Sequence, residues 1–230
     1  MKKRSVSRPY FTLVASLPAL PHFTQAERLP INRERLQERF AMLDPQDAEL
    51  MERAADFLAF QRHPAARSEA EMELYYRKLC EVVKHPTLLA LLQFPVNVRT
   101  IVAALRRRQA GEPPPKPGEP WGFGPWVRHI EQHWEHPDFK LAPVFPWITQ
   151  VRLHLENQEA LALERLLMNL IWQHVERVVP GGDFTLETLL AYLFKWDMVL
   201  HWLSYDAEAG RQRFEELATG VLDDYGPIFQ

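Results

Sequence analysis

Leu186-Glu187-Thr188-Leu189-Leu190-Ala191-Tyr192-Leu193-Phe194-Lys195-Trp196-Asp197-Met198-Val199-Leu200-His201-Trp202-Leu203 is the stretch on which the fold turns. It holds neither Gly nor Pro, and its apolar residues recur at helical spacing over a length no ordinary strand reaches, so it reads as a long apolar helix. Thr185 stands where an N-cap belongs, just after the Gly181-Gly182 break. Thr188, three residues on, denies it a full capping box. Trp172, Leu193, Trp196 and Trp202 are expected core residues.

Helical punctuation extends outward from there. Leu36, Phe40 and Leu43 share a face behind Asn32 as a cap. Asp44-Pro45 opens a second helix, through Leu50, Ala54, Phe57 and Leu58. Ser68 with Glu71 makes a capping box before Met72, Tyr75, Leu79 and Val82. A short helix is expected after Pro86, and Asn97 is a cap for another that carries Val98, Ile101, Val102 and Leu105. Residues 111–124 hold five prolines and four glycines, which excludes helix and central strand. Helices resume near 125–135, 146–156 and 159–178, and Asp206 opens a last one through Phe214, Leu217 and Val221. Only the N-terminal segment offers a place for an isolated strand. The expected fold is all-α and bundle-like, with a helical half at 1–110, a Pro/Gly-rich loop at 111–124 and a helical half at 125–230. The loop is either a surface loop or a hinge, and the halves are free to pack as one domain.

Composition narrows the function classes. Hydrophobic residues at 47% and charged residues at 25% suit a globular chain with a sizeable core. The single cysteine, Cys80, excludes an internal disulfide and a multi-cysteine metal site, and its apolar helical context suits a buried position. The first 110 residues contain no glycine, so neither a P-loop nor a dinucleotide fingerprint fits there. Residues 183–230 carry three basic and nine acidic side chains, against 24 basic and 21 acidic elsewhere. An acidic C-terminal region argues against nucleic acid as a partner and suits either a basic protein surface or a solvated face.

Lys2, Lys3 and Arg4 before the apolar run at Tyr10–Pro18 have the outline of a secretory signal. Pro9, Thr12, Ser16, Pro18 and Pro21 interrupt that outline, and Val14-Ala15-Ser16 is a poor processing site. The reading favours a cytoplasmic protein with no run of ~20 uninterrupted apolar residues to span a bilayer.

Among site candidates, His129, His133 and His136 fall at i, i+4 and i+7, the spacing that puts imidazoles on one helix face. Pro137 follows directly, Ile130 takes the place of the Glu in His-Glu-x-x-His, and Glu131, Glu135 and Asp138 surround the triplet. An exposed polar face without bound metal is the favoured reading. No serine sits in a nucleophile elbow. Arg106-Arg107-Arg108 ends a helix, where cations meet the C-terminal dipole or contact a phosphate or an acidic partner. Trp121 and Trp126, beside the proline-rich loop, are candidate partner anchors together with Arg106 and Arg107. The expectation is a chain without catalysis or cofactor.

Four ordered segments carry a resemblance. They are Tyr10-Phe11-Thr12-Leu13-Val14-Ala15-Ser16-Leu17-Pro18; Asn97-Val98 leading into Ala103-Ala104-Leu105-Arg106; Leu163-Glu164-Arg165-Leu166-Leu167 leading to Trp172; and Ala191-Tyr192-Leu193-Phe194-Lys195-Trp196 with Trp202 and Gly210. Together they resemble a bacterial family associated with V-type rotary ATPases, whose members are similar to a shortened C (or d) subunit. The resemblance implies a non-catalytic helical subunit or accessory protein at the cytoplasmic face of the inner membrane. It would link the rotor shaft and the membrane ring and reach the membrane only through protein partners. The chain is short for that subunit's three-fold helical repeat and has no internal repeat. A second class, the helical maturation chaperones of redox enzymes, is similar in size and helicity. Their Glu-Pro-x-Asp-His type motif has its nearest counterpart here in Glu135-His136-Pro137-Asp138-Phe139, without the final His.

Overall fold

The computed structural model describes residues 10–62, 68–116 and 118–224, with backbone alone at 58–62 and 206–224. Lys2, Lys3, Arg4 and Pro9, and the side chains of Leu58, Phe214, Leu217 and Val221, lie outside the described residues. The described residues form nine α-helices, one 3-10 turn and no strand, so the protein is all-α. The helices are α1 (Phe11–Ser16), α2 (Arg33–Phe40), α3 (Pro45–Arg62), α4 (Glu69–Val82), α5 (Pro86–Gln109), α6 (Val127–Gln132), α7 (Ile148–Glu156), α8 (Ala160–Val178) and α9 (Leu186–Asp224). The 3-10 turn is Phe23–Gln25.

Two of the caps read from the sequence are present as side-chain bonds. Asn32 Oδ1 accepts from the Arg35 N–H at 3.0 Å. Ser68 and Glu71 form the reciprocal capping box, with Ser68 N–H donating to Glu71 at 2.7 Å and Glu71 N–H donating to Ser68 Oγ at 3.3 Å. Each bond satisfies an amide that the first helical turn leaves free.

Three boundaries differ from expectation. Tyr10–Pro18 is not a strand: with no partner strand among the described residues, its backbone groups pair within the short α1 and bury Leu13. The short helix after Pro86 and the one begun by Asn97 are a single helix, α5, that runs through Pro95. An interior proline costs about 3 kcal/mol. Eleven residues of α5 are buried, and a fully buried aliphatic side chain contributes about 1.5–3 kcal/mol, so burial wins. Likewise α9 does not restart at Asp206. The Ser204 hydroxyl donates back to the His201 carbonyl at 2.7 Å and so does not cap a new helix. α9 continues for 39 residues, about 58 Å at 1.5 Å per residue.

The core has three clusters. The first joins α1–α4 and the N-terminal half of α5 to Leu186, Leu189, Leu193 and Trp196 of α9. The second joins the C-terminal half of α5 to Trp121, Trp134, Phe139, α7 and Leu163. The third sets Phe23 among Met168, Trp172, Met198 and Val199. Trp172, Leu193 and Trp196 are buried, as their pattern predicted, whereas Trp202 is half-buried at the edge of the third cluster. Each of the first two clusters draws residues from both sides of the 111–124 loop. α5 is long and apolar enough to cross a bilayer, yet its apolar residues pack mainly against α7, α8 and α9.

The proline-rich loop is fastened at several points. Arg107 pairs with Glu112 at 2.8 Å and Glu119 at 2.7 Å. Thr100 Oγ1 donates to the Phe123 carbonyl at 2.6 Å within the core. Gly124 has φ +100°, and a Cβ there would lie 2.8 Å from Val96 Cγ1. Gly124→Ala therefore meets backbone strain and a clash with a buried side chain. It is expected to lower unfolding free energy by at least about 1 kcal/mol, seen as a lower denaturation midpoint at unchanged slope.

His174 fastens α8 to α5. Its ring stacks on Phe94 at 4.0 Å, and its Nε2–H donates to the Ala90 carbonyl at 3.1 Å. Burial holds its pKa below the ordinary value of 6.5. The unfolded chain thus binds a proton that the folded chain resists, so stability is complete above about pH 6.5 and falls as pH drops towards the folded value. In His174→Gln that acid-side loss should shrink, measured as denaturation midpoint against pH between about 7 and 5.

Candidate functional site

The arginine run, the loop tryptophans and the histidine triplet come together at the C-terminal end of α5. Arg108 is central to this region. Its Nη1 donates to the Trp134 carbonyl at 3.0 Å and to the His136 carbonyl, and its Nη2 donates to the Glu135 carbonyl at 3.2 Å. Its guanidinium lies 6.0 Å from the centre of the buried Phe139 ring. The segment after α6 is thereby held against α5.

The triplet does not form a helix face. α6 ends at Gln132, His133 is its C-cap, and His136 lies in the turns beyond. His129 Nε2–H donates to the Phe139 carbonyl at 3.0 Å, and His133 Nδ1–H donates to the His129 carbonyl at 2.9 Å. The two rings stack on each other at 4.4 Å. His136 Nδ1 bonds instead to Asp138. No group of three His, Cys, Asp or Glu side chains able to hold a metal occurs among the described residues.

These contacts have a structural purpose. Phe139 and Lys140 have φ of 53° and 56°, a left-handed conformation that costs each residue roughly 1–2 kcal/mol. Burial of Phe139, the His129 bond to its carbonyl, and the bond from Lys140 N–H to Asp138 at 3.0 Å hold the pair in place. Burial pushes the Asp138 carboxyl up, but the Lys140 amide and His136 outweigh it and leave its pKa below the usual range. The Glu135–Phe139 segment, whose sequence approaches a chaperone motif, is thus engaged within the protein through both its carbonyls and its carboxylate.

Trp121 is not an exposed anchor. It is 4% exposed, packs edge-on against Trp134 and donates its indole N–H to Glu131 at 3.0 Å. The loop folds inward at this residue because both its ring and its N–H find partners there. Trp126 is half-buried between His129 and Phe145. Arg107 is committed to Glu112 and Glu119, and the Lys116 amide and Arg107 together hold Glu119 below the usual carboxylate range. Arg106 is exposed and forms no ion pair with a described residue. Of the four partner-surface candidates, Arg106 and part of Trp126 face solvent. Cys80 is half-buried, and burial raises its thiol pKa, which disfavours the nucleophilic thiolate.

In the acidic region, Glu187 is 7% exposed and faces His85 at 2.9 Å, while Asp206 and the acidic residues after it lie outside the described side chains. Spacing could not have revealed the role of Arg108 or the cavity between the 3-10 turn and α8. Both depend on residues far apart in the chain.

Residues 44–224 match the family described as "Protein of unknown function (DUF2764)", and the chain belongs to that family. No curated protein and no solved structure matches the chain. The matched span includes three of the four segments that carry the ATPase resemblance and leaves Tyr10–Pro18 outside it.

Removing Arg108 strands three carbonyls near the surface. Hydrogen bonds to a charged group contribute about 1.5–3 kcal/mol where buried, and partial exposure reduces this. Arg108→Ala is expected to cost about 1–2 kcal/mol, with earlier proteolytic cleavage between 133 and 141 than in the parent chain.

Proposed function

We propose that the protein is a non-catalytic helical subunit or accessory protein of a V-type rotary ATPase, resembling a shortened C (or d) subunit, at the cytoplasmic face of the membrane. The observation that carries this reading is that the resembling segments share one packed body. The Tyr192 hydroxyl of the fourth segment donates to the Pro18 carbonyl of the first at 3.0 Å. Trp172, which closes the third, lies 5.0 Å beneath the Lys195 ammonium of the fourth. α5, which bears the second, packs on α8, which bears the third. A likeness spread over contacting segments concerns a whole fold, and an adaptor works through its fold and surfaces.

Such a protein needs a rigid body and complementary faces, not a reaction centre. Arg106 and Trp126 remain available at one end, and the acidic C-terminal region supplies charge for a basic partner. Affinity capture of the full chain from native membranes should enrich V-type ATPase subunits. Recovery should fall as salt rises, since exposed charges are screened beyond about 10 Å at 0.1 M. Enrichment of a redox enzyme would favour the maturation-chaperone reading, and absence of any ATPase subunit would remove the adaptor reading.

A further inference from the structure

A cavity of about 330 Å³ lies between the 3-10 turn and α8, lined chiefly by His22, Phe23, Thr24, Arg165, Leu166 and Asn169. Small-molecule sites occupy about 300–1,000 Å³, which puts this one at the small end. Its accessible apolar surface comes from the half-buried Leu166 and the exposed Ala162, with Phe23, fully buried, beneath them.

Its polar part is rich in donors. The exposed Arg165 and half-buried Asn169 form no hydrogen bond or ion pair with a described residue. His22 Nδ1 lies 2.9 Å from the Thr24 hydroxyl and 3.4 Å from the Thr24 amide, which fixes the ring at the edge of the cavity. No Asp or Glu lines the cavity. Acidic groups elsewhere on α8 are engaged: Glu164 faces His201 at 3.3 Å, and Glu176 accepts from Lys195 at 3.0 Å and from the Trp172 indole at 2.9 Å.

One cation beside a side-chain amide complements one negative charge. A guanidinium fork matches a planar carboxylate through two parallel N–H···O bonds. A dianionic phosphate would bring a second charge without a second cation to meet it. We infer that this cavity binds a small monocarboxylic acid with an aromatic or branched apolar body, its carboxylate on Arg165 and Asn169 and its body against Leu166 and Ala162. The site is independent of the ATPase reading, because it needs no second chain.

Calorimetric titration of the full chain with 3-phenylpropionate, its neutral amide and inorganic phosphate tests this. The acid should saturate a single site, with amide and phosphate at least about tenfold weaker. Arg165→Gln, an exposed position whose change leaves the core intact, should weaken the acid by at least about tenfold, and Arg165→Lys by less. Circular dichroism of both variants should match the parent. Absence of saturation by the acid, equal binding of acid and amide, or undiminished binding in folded Arg165→Gln would each overturn the assignment.

Discussion

The indole N–H of Trp196 donates to the Ile31 carbonyl at 2.8 Å, a buried bond between residues 165 positions apart. The helix that carries it imposes the constraint that the rest of the structure meets. Leu189, Leu190, Leu193, Phe194, Trp196 and Val199 are all buried on α9. At 100° per residue they cover an arc of roughly 220°. One neighbouring helix covers a narrower stripe than that, so α9 must be surrounded, and α3, α5, α8 and the 3-10 turn all pack on it. Burying apolar area on several sides at once outweighs the unfavourable features that the fold tolerates elsewhere, including Pro95 inside α5.

The segment before α2 is held chiefly through its side chains. Tyr10 donates its hydroxyl to Asp47 and its amide to the Phe184 carbonyl, and Tyr192 reaches the Pro18 carbonyl. Burial foremost, and then the Asp47 carboxylate, raise the Tyr10 pKa, while burial alone raises that of Tyr192. Both hydroxyls therefore remain donors throughout the physiological range. Phe23 then inserts between Trp172 and Trp202, with ring centres at 5.9 and 5.2 Å. A stretch with only two short helical pieces thus lies across α8 and α9, which are themselves distant in sequence from it.

Fold class was legible in the sequence because helical spacing and cap chemistry are local signals. Asn32, Ser68 with Glu71, and Asp44-Pro45 announce helix starts through bonds that span a few residues. Tertiary burial decided the boundaries that were not legible. Pro95 and Asn97 look like a stop and a start until α7, α8 and α9 bury the helix on both sides of them. The Tyr10–Pro18 run has strand-prone residues, but strand propensity counts only where another strand is available to pair. The histidine triplet followed spacing into a false face, since i, i+4, i+7 logic assumes that the helix persists and α6 stops at Gln132. Trp121 misled similarly: its setting of Pro and Gly suggested exposure, whereas Glu131 and Trp134 draw it inward.

Some of the residues that carry the resemblance are ones that the core requires. Leu163, Trp172, Ala191, Leu193, Phe194 and Trp196 are buried, so their identities are constrained by packing whatever the surface does. Likeness at such positions therefore reports architecture first, and related chains could share this body while presenting different faces. The two regions of α8 illustrate the division. Towards its C-terminus, Glu176 is locked to Lys195 and Trp172, with burial pushing its carboxyl up and those two donors pulling it back below the usual range. Towards its N-terminus, Arg165 and Asn169 border a cavity with no described partner. Packing accounts for the first arrangement. It places no demand on the second, where an exposed guanidinium and an unbonded amide lie at the surface, as such groups ordinarily do.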